Sequence, residues 1–239
     1  MISSLIVRGI NTIINITKMR FSVLTSLLCL GLQSSDASSL ETTHPSNAYY
    51  ISKQQPRRDL AVLLIDMQEV YRVDLPIKER YKEIPFQVAV LNYAQENGFP
   101  VVVIQYDIPS LRPYGIELMP ELEEGLSLPY ETIHKRRNNA FQATPLDEML
   151  QWYDIQDIVL IGTYASDCVM ETGNGALMNG YSIATSPDLI IDPTRIQKLD
   201  LNESQEWYAE NGTLFSDYNQ VIDYMETKTH EDSLRCVCE

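Results

Sequence analysis

GTYASDCVMETGNGALMNGY, residues 162–181, is the stretch whose reading decides the fold. It follows a mostly apolar run, residues 155–161, whose length and β-branched content suit a buried strand. Small and polar residues then form a turn. Helical spacing begins at about Cys168 and stops at Asn179-Gly180, a C-terminal signal. A strand handing over to a helix through a tight turn is the repeating unit of a parallel α/β sheet. A cysteine at that junction meets unpaired helix N–H groups and the positive end of the helix dipole. Both favour thiolate and lower the thiol pKa below its ordinary value of about 8.5. Cys168 is therefore the first candidate nucleophile.

The same alternation runs through the chain. LAVLLI, residues 60–65, is continuously apolar and ends at Asp66, as a strand covered on both faces should. Residues 84–96 carry Phe86, Val88, Val90, Leu91 and Ala94 at helical spacing, closed by Asn97-Gly98. VVVIQY, residues 101–106, is a second strand ending at Asp107, and a proline-spotted loop follows to Pro129. Residues 131–134 form a third strand leading into Lys135. Thr144-Pro145 reads as an N-cap with proline at the first helical position, opening a helix over 146–153. Residues 155–161 are the fourth strand and YSIAT, 181–185, the fifth. Residues 202–228 read as helix in two pieces, broken near Asn211-Gly212. The pattern predicts an α/β doubly wound three-layer sandwich with a mostly parallel central sheet, in one domain spanning 59–230. Ligands in such sheets bind beyond the C-terminal ends of the strands. Asp66, Asp107, Lys135 and the turn before Cys168 all fall there, and Tyr106, Tyr114 and Tyr130 are candidates to line the pocket.

Composition narrows the partners. The 239 residues carry a net charge of −15, which argues against nucleic acid or an anionic membrane surface as partner, because both require a broad basic face. Lys135-Arg136-Arg137 is the only compact basic patch; Lys135 is expected to point inward and the two arginines outward. Four cysteines are too few for a disulfide scaffold. Cys236 and Cys238 lie in a tail, 231–239, read as mobile, with metal capture or an external disulfide as the alternative. Met19-Arg20 is followed by FSVLTSLLCLGL and a small-residue exit at Ser35-Asp36-Ala37. That apolar run is too short to span a bilayer and has the layout of a signal peptide. Residues 1–37 are read as a signal peptide or N-terminal extension and 38–58 as a flexible linker. The protein is expected to be exported if translation starts at Met19 and cytoplasmic otherwise, with no stable membrane insertion after processing. No Gly-rich phosphate loop accompanies Asp66, so a dinucleotide site is not read.

Asp66, Lys135 and Cys168, at the ends of three strands, divide the labour of a thiol nucleophile. A carboxylate accepts the thiol proton, an ammonium stabilises both anions, and turn N–H groups hold a developing oxyanion. Three motifs that carry these residues, LLIDMQ, HKRRNNAFQATPL and GTYASDCVMETGNGALMNGY, resemble those of the isochorismatase-like cysteine hydrolases. That superfamily includes nicotinamidases, carbamoyl-amide hydrolases and isochorismatases. The resemblance covers about residues 59–188. It implies Asp66 as general base, Lys135 as its charge partner and Cys168 as nucleophile. It also implies a cis peptide at Thr163–Tyr164, with the N–H groups of Tyr164 and Cys168 as oxyanion hole. The implied reaction is attack on an amide carbonyl of a small molecule, a thioester, then hydrolysis. Dimers or tetramers are implied as well. Nicotinamidases of the superfamily carry Asp-x-His after the second strand; here the position reads Asp107-Ile108-Pro109, so the expectation is a reaction with no metal and no cofactor. Thr172-Gly173 replaces the usual Thr-Ala, a change expected to affect helix packing. Two alternatives stand beside C–N hydrolysis: vinyl-ether hydrolysis of the isochorismatase type, and a non-catalytic exported binding protein that retains the fold.

Overall fold

Each face of the first strand is covered by a different set of helices, and the rest of the architecture follows from that. The computed structural model describes residues 59–127, 130–192 and 201–235. The readings placed on residues 1–58 and on Cys236 and Cys238 lie outside them. In chain order the elements are β1 (Leu60–Ile65), α1 (Ile77–Glu96), β2 (Val101–Tyr106), α2 (Pro120–Gly125) and β3 (Glu131–Lys135). Then come α3 (Leu146–Trp152), β4 (Asp157–Thr163), a π-helical turn (Ala165–Val169), α4 (Met170–Met178), β5 (Ser182–Thr185) and β6 (Ile190–Ile191). The chain ends with α5 (Leu201–Asn211), β7 (Thr213–Leu214) and α6 (Tyr218–Arg235).

All six residues of β1 are buried. Leu60, Val62 and Leu64 join one core with Val90 and Leu91 of α1 and Val221 and Met225 of α6. Ala61, Leu63 and Ile65 join the other with Leu146 and Leu150 of α3, Ala176 of α4 and Tyr208 of α5. Alternation within one apolar run thus feeds both faces, the signature of a central parallel strand. Burial of each such Leu or Ile contributes roughly 1.5–3 kcal/mol, so a charge at Leu63 would unfold the centre of the sheet. The strand order is β3-β2-β1-β4-β5-β7, every pairing is parallel, and β6 pairs with β4 off this path. The expected doubly wound α/β sandwich is the observed one.

Several boundaries differ from expectation for physical reasons. Helix α1 begins at Ile77 rather than Ile84, because its first turns expose Ile77 and Tyr81 and so show no buried stripe; Pro85 sits inside it on the exposed side. Strand β4 runs 157–163, not 155–161, because its register with β1 pairs Leu60 with Asp157 and Ile65 with Gly162. Pro145 itself occupies the cap of α3, and Thr144 Oγ1 accepts the Leu146 N–H at 3.2 Å. Helix α2 interrupts the long loop, the short strands β6 and β7 add to the sheet, and α6 continues to Arg235, past the expected domain end. Among the described residues, no helix is long and apolar enough to cross a membrane.

Candidate active site

Asp66 follows β1 directly and turns the chain with φ of 54°, a left-handed conformation that carboxylate-bearing residues tolerate better than most. Its N–H donates to the Ile104 carbonyl (2.9 Å) and its carbonyl accepts from the Gln68 N–H (2.8 Å). Gln68 is fully buried; its amide nitrogen donates to the carbonyls of Ile116 (2.7 Å) and Tyr106 (3.2 Å), while its oxygen accepts from the Tyr106 N–H (2.7 Å). One side chain therefore ties the ends of β1 and β2 to the loop that follows. Sequence reasoning gave Gln68 no role, because a polar residue after a strand looks the same whether it faces solvent or core.

Lys135 ends β3, two strands away, and reaches past the end of β2. Its Nζ donates to Asp66 Oδ2 at 2.7 Å and to the Asn138 carbonyl at 2.8 Å, and lies 5.4 Å from the centre of the Tyr106 ring. Both members of the ion pair are buried, at 0% and 1% exposure, whereas Arg136 and Arg137 are exposed. Asp66 Oδ1 is buried without a hydrogen-bond partner.

Cys168 lies in the turn that follows β4. Gly162, at φ of 137°, is required there: any Cβ would run into the Ile65 backbone, which is how the turn comes so close to Asp66. The Thr163–Tyr164 peptide is cis, as the resemblance implies. The N–H groups of Asp167 and Val169 both donate to the Tyr164 carbonyl at 3.0 Å, closing a π-helical turn instead of a plain helix start. Asn138 Nδ2 donates to Asp167 Oδ1 at 2.6 Å, and Thr172 Oγ1 accepts from the Ala140 N–H (3.1 Å) and donates to the Asn138 carbonyl (3.3 Å). The lysine loop and the cysteine turn are thereby clamped together. Gly175 of α4 leaves room for the Asn139 side chain.

The expected lowering of the Cys168 pKa is corrected. The thiol is buried and shares a contact with the Asp66 carboxyl; burial pushes it well above its ordinary range, Asp66 adds to this, and Lys135 opposes it. Burial also raises the Asp66 carboxyl, against the pull of Lys135. Desolvation outweighs the helix-end effect, which amounts to only a fraction of a kcal/mol up to about 2 kcal/mol. The same burial disfavours the Cys168 thiolate and makes the Asp66 carboxyl more basic.

The remaining candidates separate. Tyr106 is at the site, its ring under Lys135 and its hydroxyl donating to the Arg136 carbonyl at 3.2 Å. Asp107 is adjacent, but Arg112 donates to both of its oxygens at 2.8 Å, which lowers its pKa. Tyr114 is 72% exposed on a 3-10 turn. Tyr130 precedes β3 at the end of the strand opposite Lys135 and packs on the α1 core, so neither tyrosine joins the site. In their place stand Tyr71 and Tyr164, edge to face at 5.6 Å. Burial raises both hydroxyls, and Asp66 and Cys168 raise them further, which locates both rings beside the pair. Tyrosine is frequent in this chain, and nothing in the sequence marked these two.

The isochorismatase domain profile matches residues 60–203. The chain belongs to the isochorismatase family. It is 25% identical over 150 residues to the uncharacterized isochorismatase family protein YaaI of Bacillus subtilis (strain 168), covering 56% of this chain and 81% of that one. Among solved structures, a cysteine hydrolase from Pseudomonas syringae pv. phaseolicola 1448A superposes with a TM-score of 0.60 at 18% identity, covering 71% of this chain and 93% of the other. The N-carbamoylsarcosine amidase of Thermoplasma acidophilum gives 0.55 at 23% identity, covering 66% and 96%. At these identities the structures establish the shared fold, and the profile places this isochorismatase-like chain in a hydrolase family.

Proposed function

We propose that this isochorismatase-like protein is a cysteine hydrolase that cleaves a C–N bond of a small amide or carbamoyl compound. The observation that carries the reading is the buried Lys135–Asp66 ion pair, 2.7 Å long, against the Cys168 thiol. As Sγ bonds to the substrate carbonyl carbon, its proton passes to Asp66. Lys135 offsets the negative charge that the site keeps throughout, and the N–H groups of Tyr164 and Cys168 face the developing oxyanion. The C–N bond then breaks, and the Asp66 proton leaves with the nitrogen as ammonia or an amine. Water attacks the thioester, gives its proton to Asp66, and releases the acid; that proton returns to Sγ. A thiol of raised pKa suits this sequence, because the proton moves only when a carbonyl is in place to accept the sulfur.

The reading includes no metal. Among the described residues, no three His, Cys, Asp or Glu side chains are grouped to hold one, and Asp107 is occupied by Arg112. The test is ammonia release from a panel of small primary amides and N-carbamoyl compounds, with Cys168→Ala as control. A panel on which the wild type never exceeds that control would falsify the reading.

A further inference from the structure

The turn that carries Cys168 is held from a direction the proposed chemistry does not use. Strand β6 is only two residues long, and it pairs Ile190 with Gly162 and Ile191 with Thr163. Thr163 Oγ1 donates to the Ile191 carbonyl at 3.0 Å. The next residue, Asp192, therefore lies alongside Tyr164, where β4 gives way to the turn. Its Oδ1 accepts from both the Ser166 N–H (2.9 Å) and the Ser166 hydroxyl (3.0 Å), and the Ala165 N–H contributes a further contact. Tyr208 of α5, also buried, donates its hydroxyl to the Ala165 carbonyl at 2.7 Å. Two consecutive residues just ahead of the nucleophile are thus held at N–H, carbonyl and side chain.

Asp192 is an expensive way to do this. It is buried, its Oδ2 has no hydrogen-bond partner, and Asp167 adds a second negative charge nearby. A neutral acceptor of the same shape would bond Ser166 with a smaller desolvation penalty. What the carboxylate adds is shorter and stronger charge-assisted bonds to the turn.

We propose that Asp192 is the positioning residue of the nucleophile turn, its carboxylate fixing Ala165 and Ser166 so that Cys168 and the turn N–H groups meet a carbonyl in the attacking geometry. Asp192 does not touch the reacting atoms; it acts through Ser166. The inference rests on Cys168 being the nucleophile. It separates from a merely structural role because the charge is costly to the fold and useful only to the geometry.

The probe is 4-nitrophenyl acetate, whose burst of nitrophenolate reads acylation of Cys168 on the full chain, with Cys168→Ala as blank. Asp192→Asn should slow the burst by about tenfold or more, with the melting temperature within about 3 °C of wild type. The thiolate titration, followed by ultraviolet absorbance, should stay in place. Ser166→Ala should slow the burst less, and Asp192→Asn should cost less in that background, since both changes remove one interaction. An unchanged burst in Asp192→Asn overturns the proposal, as does a burst that falls only in step with melting temperature. A wild type with no Cys168-dependent burst is a different result, and overturns the nucleophile reading beneath it.

Discussion

Two lysine–aspartate pairs of equal length sit at opposite ends of this sheet. Lys135–Asp66, at the C-terminal ends of the strands, and Lys228–Asp157, where α6 meets the first residue of β4, are both 2.7 Å long. Each ammonium also lies over a tyrosine ring, Tyr106 at 5.4 Å and Tyr224 at 5.5 Å. The difference is in the surroundings. Lys228 and Asp157 keep 18% and 13% exposure, whereas Lys135 and Asp66 have essentially none and share their charge with a thiol. Water shares the solvation of the first pair, which is left to hold a helix to a strand. The second pair carries the full desolvation cost, which raises both the Asp66 carboxyl and the Cys168 thiol.

The largest expected effect comes from breaking the buried pair on its cationic side. Lys135→Met leaves the Asp66 carboxyl buried with no counter-charge and should cost about 3–5 kcal/mol of stability by urea titration. Hydrolysis should vanish in whatever fraction stays folded. Asp66→Asn keeps a polar group beside Lys135 but removes the proposed base. Turnover should fall about 10²–10⁴-fold, while the thiol titrates at lower pH than in wild type, because the carboxylate that raised it is gone and Lys135 remains. A faster-ionising but inactive thiol would sharpen the distinction between a standing thiolate and a proton moved on demand. Lys228→Met, in contrast, should cost only about 0.2–1 kcal/mol and leave turnover unchanged. Equal losses from the two lysine variants would mean that burial does not set the two pairs apart.

The smallest effect is a pH slope. Burial raises the Asp192 carboxyl above its ordinary value. An acid with a raised folded pKa binds its proton more tightly when folded. Its contribution to stability is therefore complete below the unfolded pKa of about 3.9 and is lost as pH rises through the folded pKa. Asp192→Asn does not titrate, so its melting temperature should gain on wild type as pH rises from about 4. A difference that is flat with pH would mean Asp192 is not held as an ionised, buried group.

The existence of the strands is legible because an apolar run leaves a one-dimensional mark. Six apolar residues ending in aspartate, as in 60–66, fit a strand covered on both faces. Asp66 and Lys135 stand out because each lies where such a strand stops, and Cys168 because it opens the helix after the turn that follows the fourth. Boundaries were less legible: the polar first turns of α1 have no buried stripe, and two-residue strands such as β6 have no period at all. The tethers of the site were invisible for a different reason. Gln68, Thr172, Asp192 and Tyr208 act through distances set only when separate elements pack. The direction of the Cys168 shift was misread for the same cause, since the sequence shows a helix start but not the depth at which it is buried. Tyr114 and Tyr130 lie away from the ion pair, while Tyr71 and Tyr164 stand beside it.

The proposed reaction places a covalent acyl group on Cys168, and its formation depends on Asp66. Intact-mass measurement after acid quenching of the full chain with 4-nitrophenyl acetate tests it most directly. One acetyl group is expected, mapped to Cys168, absent in Cys168→Ala and forming far more slowly in Asp66→Asn. No adduct on Cys168, or one that forms equally fast in Asp66→Asn, would contradict it.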